Sequence, residues 1–243
     1  MPVSSLPSRT GVGEMGAEAY HFLTLLKESG VKIWQILPMN PVGYGNSPYQ
    51  PYSSCAGDEL YISLDTLYEE GLLKERPEGF HEYATKVDYD AVRLHKEPYL
   101  REAFQAFLTS GGCETKDYQE FAAQSWVYEY GAFRALKKAN GGCCWNEWKQ
   151  EDKMWPDART DLAPELETEV QYHMFLQYVF FSQWMKLKEK ANAYDIQIMG
   201  DVPFYVGVDS VDVWAAKDNF LLDTDGSCLL YTSDAADDMQ CVD

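Results

Sequence analysis

An amphipathic helix followed at once by a short apolar strand is the feature that most constrains the fold. Residues Ala17–Glu28 carry apolar side chains at helical spacing, and the pattern ends at Gly30, a typical helix stop. The apolar run 31–37 then predicts a buried strand that breaks at Pro38. Residues 1–13 are interpreted as the end of an earlier strand and a Gly-rich turn. A strand, a helix and a strand at this spacing predict a βαβ unit and a parallel sheet.

A loop rich in proline, glycine and tyrosine follows the strand, at 38–53. Proline fixes φ and cannot donate to a sheet ladder, so the loop is stiff and leaves the sheet. Its tyrosines present flat apolar faces edged by a hydroxyl, and a sugar ring has the same mixture of C–H surface and hydroxyls. Composition alone favours a structural loop, with a sugar-binding surface as the alternative. The residues concerned are Pro41, Pro48, Pro51, Gly43, Gly45, Tyr44, Tyr49 and Tyr52.

The rest of the chain is predominantly helical in pattern. Charged helical stretches at 99–108 and 118–139 lie in a central region that shows no clean strand alternation. A long amphipathic pattern at 165–192 precedes a predicted strand at 196–199. Aromatic residues of the central region are typical of core packing, with a sugar-facing surface as the alternative. These aromatic residues are Trp126, Tyr128, Tyr130, Phe133, Trp145 and Trp148.

The segment Leu37-Pro-x-x-Pro-x-Gly-Tyr-Gly-x-Ser-Pro-Tyr-Gln50 is the most specific motif of the chain. It resembles the substrate loop of the 4-alpha-glucanotransferase family, also called amylomaltases or disproportionating enzymes. Supporting matches are Ser4-Ser-Leu-Pro7, Trp145-x-x-Trp148, Gln177-x-x-Phe-Phe-x-Gln-Trp184 and Gly200-Asp-Val-Pro-Phe-Tyr205. Order and spacing together, from residue 1 to about residue 226, make the resemblance specific.

The resemblance implies an α/β fold: a partial TIM (β/α)8 barrel, first strands only, with an α-helical insertion. The implied division gives the first barrel units at 1–73, with a substrate loop at 38–57. A helical insertion occupies 74–164, a further barrel unit 165–226, and a tail 227–243.

The resemblance also implies the reaction, which is the transfer of α-1,4-glucan segments between maltooligosaccharides by retaining double displacement. That chemistry uses two carboxyl groups about 5–5.5 Å apart, one as nucleophile and one as acid and base. It requires no metal or organic cofactor. The family nucleophile lies in an Arg-x-Asp-His signature that this sequence lacks. No catalytic residue is therefore assigned, and the chain alone is expected to be an inactive fragment.

Five residues are candidates for substrate binding by this resemblance. Ser47, Tyr49 and Gln50 match the loop that faces the donor sugars, where Tyr49 would stack or hydrogen-bond beside the cleavage point. Tyr44 matches a tyrosine linked to a glucan-contacting surface. Asp201 opens a short motif shared across the wider α-amylase group, and a structural carboxylate that orders its loop is an equal alternative.

Composition argues against several classes of partner and is compatible with a neutral substrate such as the α-1,4-glucans and maltooligosaccharides that the resemblance implies. The net charge of −19 argues against nucleic acid and anionic membranes. No run approaches the roughly 18 apolar residues that a membrane helix needs. The 6 cysteines and 4 histidines show no metal-site spacing. With no basic and apolar leader pattern after Met1, the cytoplasm is the expected compartment.

Both ends depart from the resemblance. Met1 falls inside the first strand of the family, and the resemblance stops after Gly226. The string at 228–237 resembles the conceptual translation of a sequencing-library adapter, so we expect a non-native, disordered tail. Open sheet edges would make the chain alone unstable or prone to aggregate. The alternatives to a transferase are an α-glucan hydrolase of the same barrel group and a non-catalytic glucan-binding protein.

Overall fold

The computed structural model describes residues 1–80, 86–203, 206–223 and 226–227. The chain divides into two compact units. Unit 1 comprises Met1–Met39, Gly57–Phe121 and Phe175–Asp201, and unit 2 comprises Asn40–Ala56, Ala122–Met174 and Val202–Asp243.

Helices dominate the described residues. In chain order the regular elements are α1 Ala17–Glu28, β1 Ile33–Gln35, α2 Leu64–Glu69, α3 Tyr89–Thr109, α4 Lys116–Ala122, α5 Ser125–Ala139, α6 Gln150–Lys153, α7 Trp155–Ala158, α8 Pro164–Ala193, β2 Gln197–Met199 and α9 Val211–Ala215. Helix α1 has the bounds predicted from its apolar spacing, and α8 matches the predicted helix at 165–192 to within a residue at each end.

The predicted parallel sheet is confirmed, although its strands are not the pair expected from a βαβ unit of residues 1–13, α1 and the strand that follows. Strands β1 and β2 lie side by side in parallel, with Trp34 opposite Ile198. Trp34 is buried, and its ring meets that of Phe22 edge-on at 5.2 Å. On the other face of the sheet Ile33 and Met199 are 52% and 46% exposed. Within the described residues this sheet has two strands, one face covered by α1 and the other open.

The prediction of a strand within residues 1–13 is wrong. A 3-10 turn forms at Val3–Ser5, and the Gly13 amide donates to the Ser4 carbonyl, which closes the segment on itself. Pro2 and Pro7 flank the turn and have no N–H to give to a sheet ladder.

The central helices differ from the predicted ones in their ends. Helix α3 begins well before residue 99, because the Asp88 carboxylate caps it by accepting from the Ala91 amide at 3.0 Å. The single stretch expected at 118–139 is instead α4 and α5, separated by an extended Gln124. The break falls where the chain passes from unit 1 to unit 2 at Phe121. Packing within the units thus overrides a continuous helical pattern.

Unit 1 closes its core around buried amide side chains of α8. Gln177 accepts from the Gly57 amide at 2.8 Å and donates to the Gly57 carbonyl at 2.9 Å. Gln183 makes the same pair of bonds with Ser63, at 2.7 and 3.2 Å. The two glutamines satisfy backbone groups that lie outside any helix or strand, as buried backbone requires.

Unit 2 has an aromatic core. The Trp214 ring stacks on Trp155 at 5.7 Å and lies against Phe133 and Trp148. Tyr130, Phe133, Trp145 and Trp148 are buried, which confirms the core interpretation for these residues, whereas Trp126 and Tyr128 are half-buried.

The larger architecture stays a prediction. Closure of a barrel and the division at 1–73, 74–164, 165–226 and 227–243 extend beyond what the two-stranded sheet can test. The expectation for 228–243 lies outside the described residues. No helix in the described part is long and apolar enough to cross a membrane.

Candidate functional site

The proline-tyrosine segment forms a closed loop within unit 2, here called loop 40–56. An antiparallel bridge pairs Val42 with Pro51, and the Gly43 amide donates to the Gln50 carbonyl at 3.2 Å. Gly45 adopts a φ of 77° inside the turn, a conformation that glycine takes without strain. The tip of the loop therefore returns on itself.

The predicted binding residues cluster at this tip. Tyr49 is 41% exposed and Gln50 is exposed beside it. Ser47 is half-buried, and its hydroxyl accepts from the Tyr49 amide at 3.3 Å. The backbone of Tyr44 lies in the 3-10 turn Tyr44–Asn46. The structure thus brings Ser47, Tyr49 and Gln50 together on one accessible turn.

The base of loop 40–56 is held by side chains that the sequence interpretation did not single out. Asp212, in the first turn of α9, accepts from the Ser54 amide at 2.8 Å and the Ser54 hydroxyl at 2.6 Å. Asn40 donates to the carbonyls of Ser54 and Ala56, both at 3.0 Å. In the sequence, Asp212 is only an acidic residue near a helix start, and this position does not indicate that Ser54 is its partner.

A partly buried ion pair lies against the same loop. The Lys137 ammonium donates to Asp209 at 2.6 Å and sits 4.9 Å from the centroid of the Tyr52 ring. Burial, together with the charge of Asp209, raises the pKa of the nearby Cys144 thiol to about 11. The cation–π contact with Lys137 holds the Tyr52 ring in place. The raised pKa keeps the Cys144 thiol protonated at neutral pH.

Asp201 belongs to unit 1. It follows β2 and Gly200 directly, at the carboxyl end of the strand, and is half-buried. Phe204 and Tyr205, which complete its motif, lie outside the described residues. Asp201 therefore has the strand-end position that the sequence predicted, in a different unit from loop 40–56.

Cysteine and histidine side chains in the described part of the chain form no further candidate site. No group of 3 or more His, Cys, Asp or Glu side chains there is placed to hold a metal ion. Cys55, Cys113, Cys143 and Cys144 are free thiols. His173 is buried beside Glu169, and His95 contacts the Glu78 carbonyl, so both histidines have local structural partners.

A family model described as 4-alpha-glucanotransferase matches residues 1–234. The chain belongs to the 4-alpha-glucanotransferase family. Among family members, the 4-alpha-glucanotransferase of Synechocystis is 43% identical over 232 residues, which are 90% of this chain and 45% of that protein. The Thermus thermophilus 4-alpha-glucanotransferase is 41% identical over 231 residues, 92% of this chain and 45% of the relative. The chain spans about half the length of the curated relatives it matches.

A solved family structure agrees with the fold. Amylomaltase from Streptococcus agalactiae, in complex with acarbose, matches with a TM-score of 0.85 and 34% identity. The match covers 93% of this chain and 47% of the amylomaltase chain.

In this member of the 4-alpha-glucanotransferase family, loop 40–56 has the groups for binding a ligand but not for catalysis. The loop offers an aromatic face, an amide and a hydroxyl, and its sequence contains no acidic residue. It can bind a neutral polyol, but it cannot supply the pair of carboxyl groups that a retaining reaction uses.

Proposed function

We propose that the chain is part of a 4-alpha-glucanotransferase that moves α-1,4-glucan segments between maltooligosaccharides, and that loop 40–56 binds the donor glucan. The observation that carries this is the accessible turn of Ser47, Tyr49 and Gln50, held at its base by Asp212, in a member of this family. Asp201, at the end of β2 in unit 1, is proposed as a further substrate-binding residue.

Loop 40–56 is suited to transfer because it is held in place before substrate arrives. A tyrosine fixed on a closed turn loses little conformational entropy when a sugar stacks on it. In the proposed retaining reaction a glycosyl-enzyme forms on one carboxylate, and a sugar hydroxyl then displaces it with base assistance from the other. An aromatic surface that holds the acceptor and excludes water favours transfer over hydrolysis.

We further propose that this chain binds glucan without turning it over. The support is the missing Arg-x-Asp-His signature that the resemblance assigns to the nucleophile. Incubation of the purified chain with maltotriose, followed by chromatography of the products, should show maltotriose alone. A ladder of longer products would contradict this proposal and indicate a working transferase, whereas glucose and maltose alone would indicate a hydrolase.

Tyr49→Ala tests the binding role. We expect a roughly 10- to 150-fold loss of affinity for maltoheptaose by calorimetry, because burying the apolar surface of an aromatic side chain is worth about 1.5–3 kcal/mol. Tyr68→Ala is the matched control, since Tyr68 is a tyrosine of similar exposure (40%) on α2. Equal affinity of both variants and the parent would exclude the loop as the donor site.

A further inference from the structure

Unit 2 contains an open cavity of about 410 Å³ beside the base of loop 40–56. Its apolar walls include Trp126, Phe220 and Val211, and its polar lining includes Cys55, Asp212 and Asn219. The volume lies within the range of about 300–1,000 Å³ typical of small-ligand sites. The cavity is thus large enough for an ordered small ligand.

Two aromatic side chains, Trp126 and Phe220, line the cavity. The Trp126 indole N–H donates to the Gln124 side chain at 3.1 Å, which helps to fix the plane of the ring. Both Trp126 and Phe220 are half-buried and so keep part of their surface accessible. Aromatic faces of this kind suit the C–H surface of a sugar ring.

The polar groups of the cavity favour a neutral hydroxylated ligand. Each oxygen of Asp212 accepts one hydrogen bond from Ser54, and a carboxylate has about four acceptor positions. Asp212 can therefore accept further hydrogen bonds from hydroxyl groups while it holds loop 40–56. Among the described residues that line the cavity none is a lysine or an arginine, which disfavours an anionic ligand.

We propose that this cavity is a second glucosyl-binding subsite, formed by Trp126, Phe220 and Asp212. The proposal rests on the proposed function, because it takes α-glucan as the ligand. Since Ser53 and Cys55 belong to both the cavity lining and loop 40–56, a glucan held here contacts the same loop that presents Tyr49. The subsite adds affinity for longer chains without taking part in chemistry.

The test uses Cys55 as a local reporter, because this thiol is exposed and lines the cavity. Its alkylation by iodoacetamide is followed by peptide mass spectrometry, with Cys113 of unit 1 as the internal reference. Maltoheptaose, at about ten times the Kd that calorimetry gives for the parent and for each variant, should slow alkylation of Cys55 in the parent about tenfold, since only the unliganded fraction reacts. Trp126→Ala should abolish this protection, whereas Trp126→Phe and Tyr49→Ala should retain it.

The outcomes separate this subsite from the proposed function. Protection that survives Trp126→Ala, or that Tyr49→Ala alone removes, overturns the subsite and leaves glucan binding by loop 40–56 standing. Calorimetric binding of maltoheptaose that depends on Tyr49, with no protection of Cys55, likewise overturns the subsite and leaves glucan binding by loop 40–56 standing. Absence of any glucan binding by the parent chain contradicts the proposed function and the subsite together. Circular dichroism checks the fold, and Phe220→Ala replaces Trp126→Ala if that variant is unfolded.

Discussion

Lys96 holds its ammonium group inside unit 1, where the side chain is 1% exposed. It donates to Glu14 at 3.0 Å and to the carbonyls of Leu60 and Ile62 at 2.7 and 2.6 Å. These bonds use all three donors of an ammonium group. One side chain of α3 thereby joins Glu14 to the carbonyls at the end of the 3-10 turn Glu59–Tyr61, more than 40 residues away along the chain.

Replacing Lys96 tests that role at the scale of one residue. Lys96→Met leaves the two carbonyls and Glu14 without their buried donor, so we expect a loss of about 3–5 kcal/mol in the free energy of unfolding. Lys116→Met is the matched control, because Lys116 pairs with Glu120 while 85% exposed, and should cost less than about 1 kcal/mol. Urea unfolding measures both. A cost for Lys96→Met no larger than that of the control would show that the ion pair is dispensable.

At the scale of the elements, periodicity explains what the sequence predicted. Helix α1 and the positions of β1 and β2 follow from apolar spacing and from a glycine stop at Gly30. The pairing of β1 with β2 does not, because the spacing indicated a βαβ unit with residues 1–13. The ends of α3 and the break at Gln124 depend on a local cap and on the change from one unit to the other, which spacing does not encode. Partners of loop 40–56 such as Asp212 lie more than 150 residues away in sequence, so only the fold reveals them.

Helix α8 gives an element-scale prediction through Gln177. Gln177→Leu keeps an apolar helix face but leaves the Gly57 N–H and C=O unpaired in the core, at a cost of about 1–3 kcal/mol for each group. Gln171→Leu, at an exposed position of the same helix, is the control and should stay within about 0.5 kcal/mol of the parent. Chemical denaturation followed by circular dichroism compares them. Unfolding of both variants at the same urea concentration would show that the hydrogen bonds between Gln177 and Gly57 are unimportant for stability.

At the scale of the whole molecule, the open face of the sheet bears on behaviour in solution. Ile33, Leu37 and Met199 are 52%, 39% and 46% exposed, and Ile33 and Met199 lie on adjacent strands of one sheet. Exposed apolar sheet faces and unpaired strand edges favour association between molecules. We therefore expect the purified chain to self-associate as its concentration rises.

Charge on that face should oppose self-association. Met199→Lys places an ammonium group at the exposed end of β2, where water solvates it, and like charges on two approaching molecules repel. Sedimentation velocity over a range of protein concentrations should show large species for the parent and a higher monomer fraction for Met199→Lys. Leu94→Lys adds the same charge at a 76% exposed position on α3 and should leave the association unchanged. A parent chain that is monomeric throughout would contradict this prediction, and equal relief by both variants would show that the effect is not specific to the open sheet face. Relief by Met199→Lys alone identifies the open sheet face as the surface through which the molecules associate.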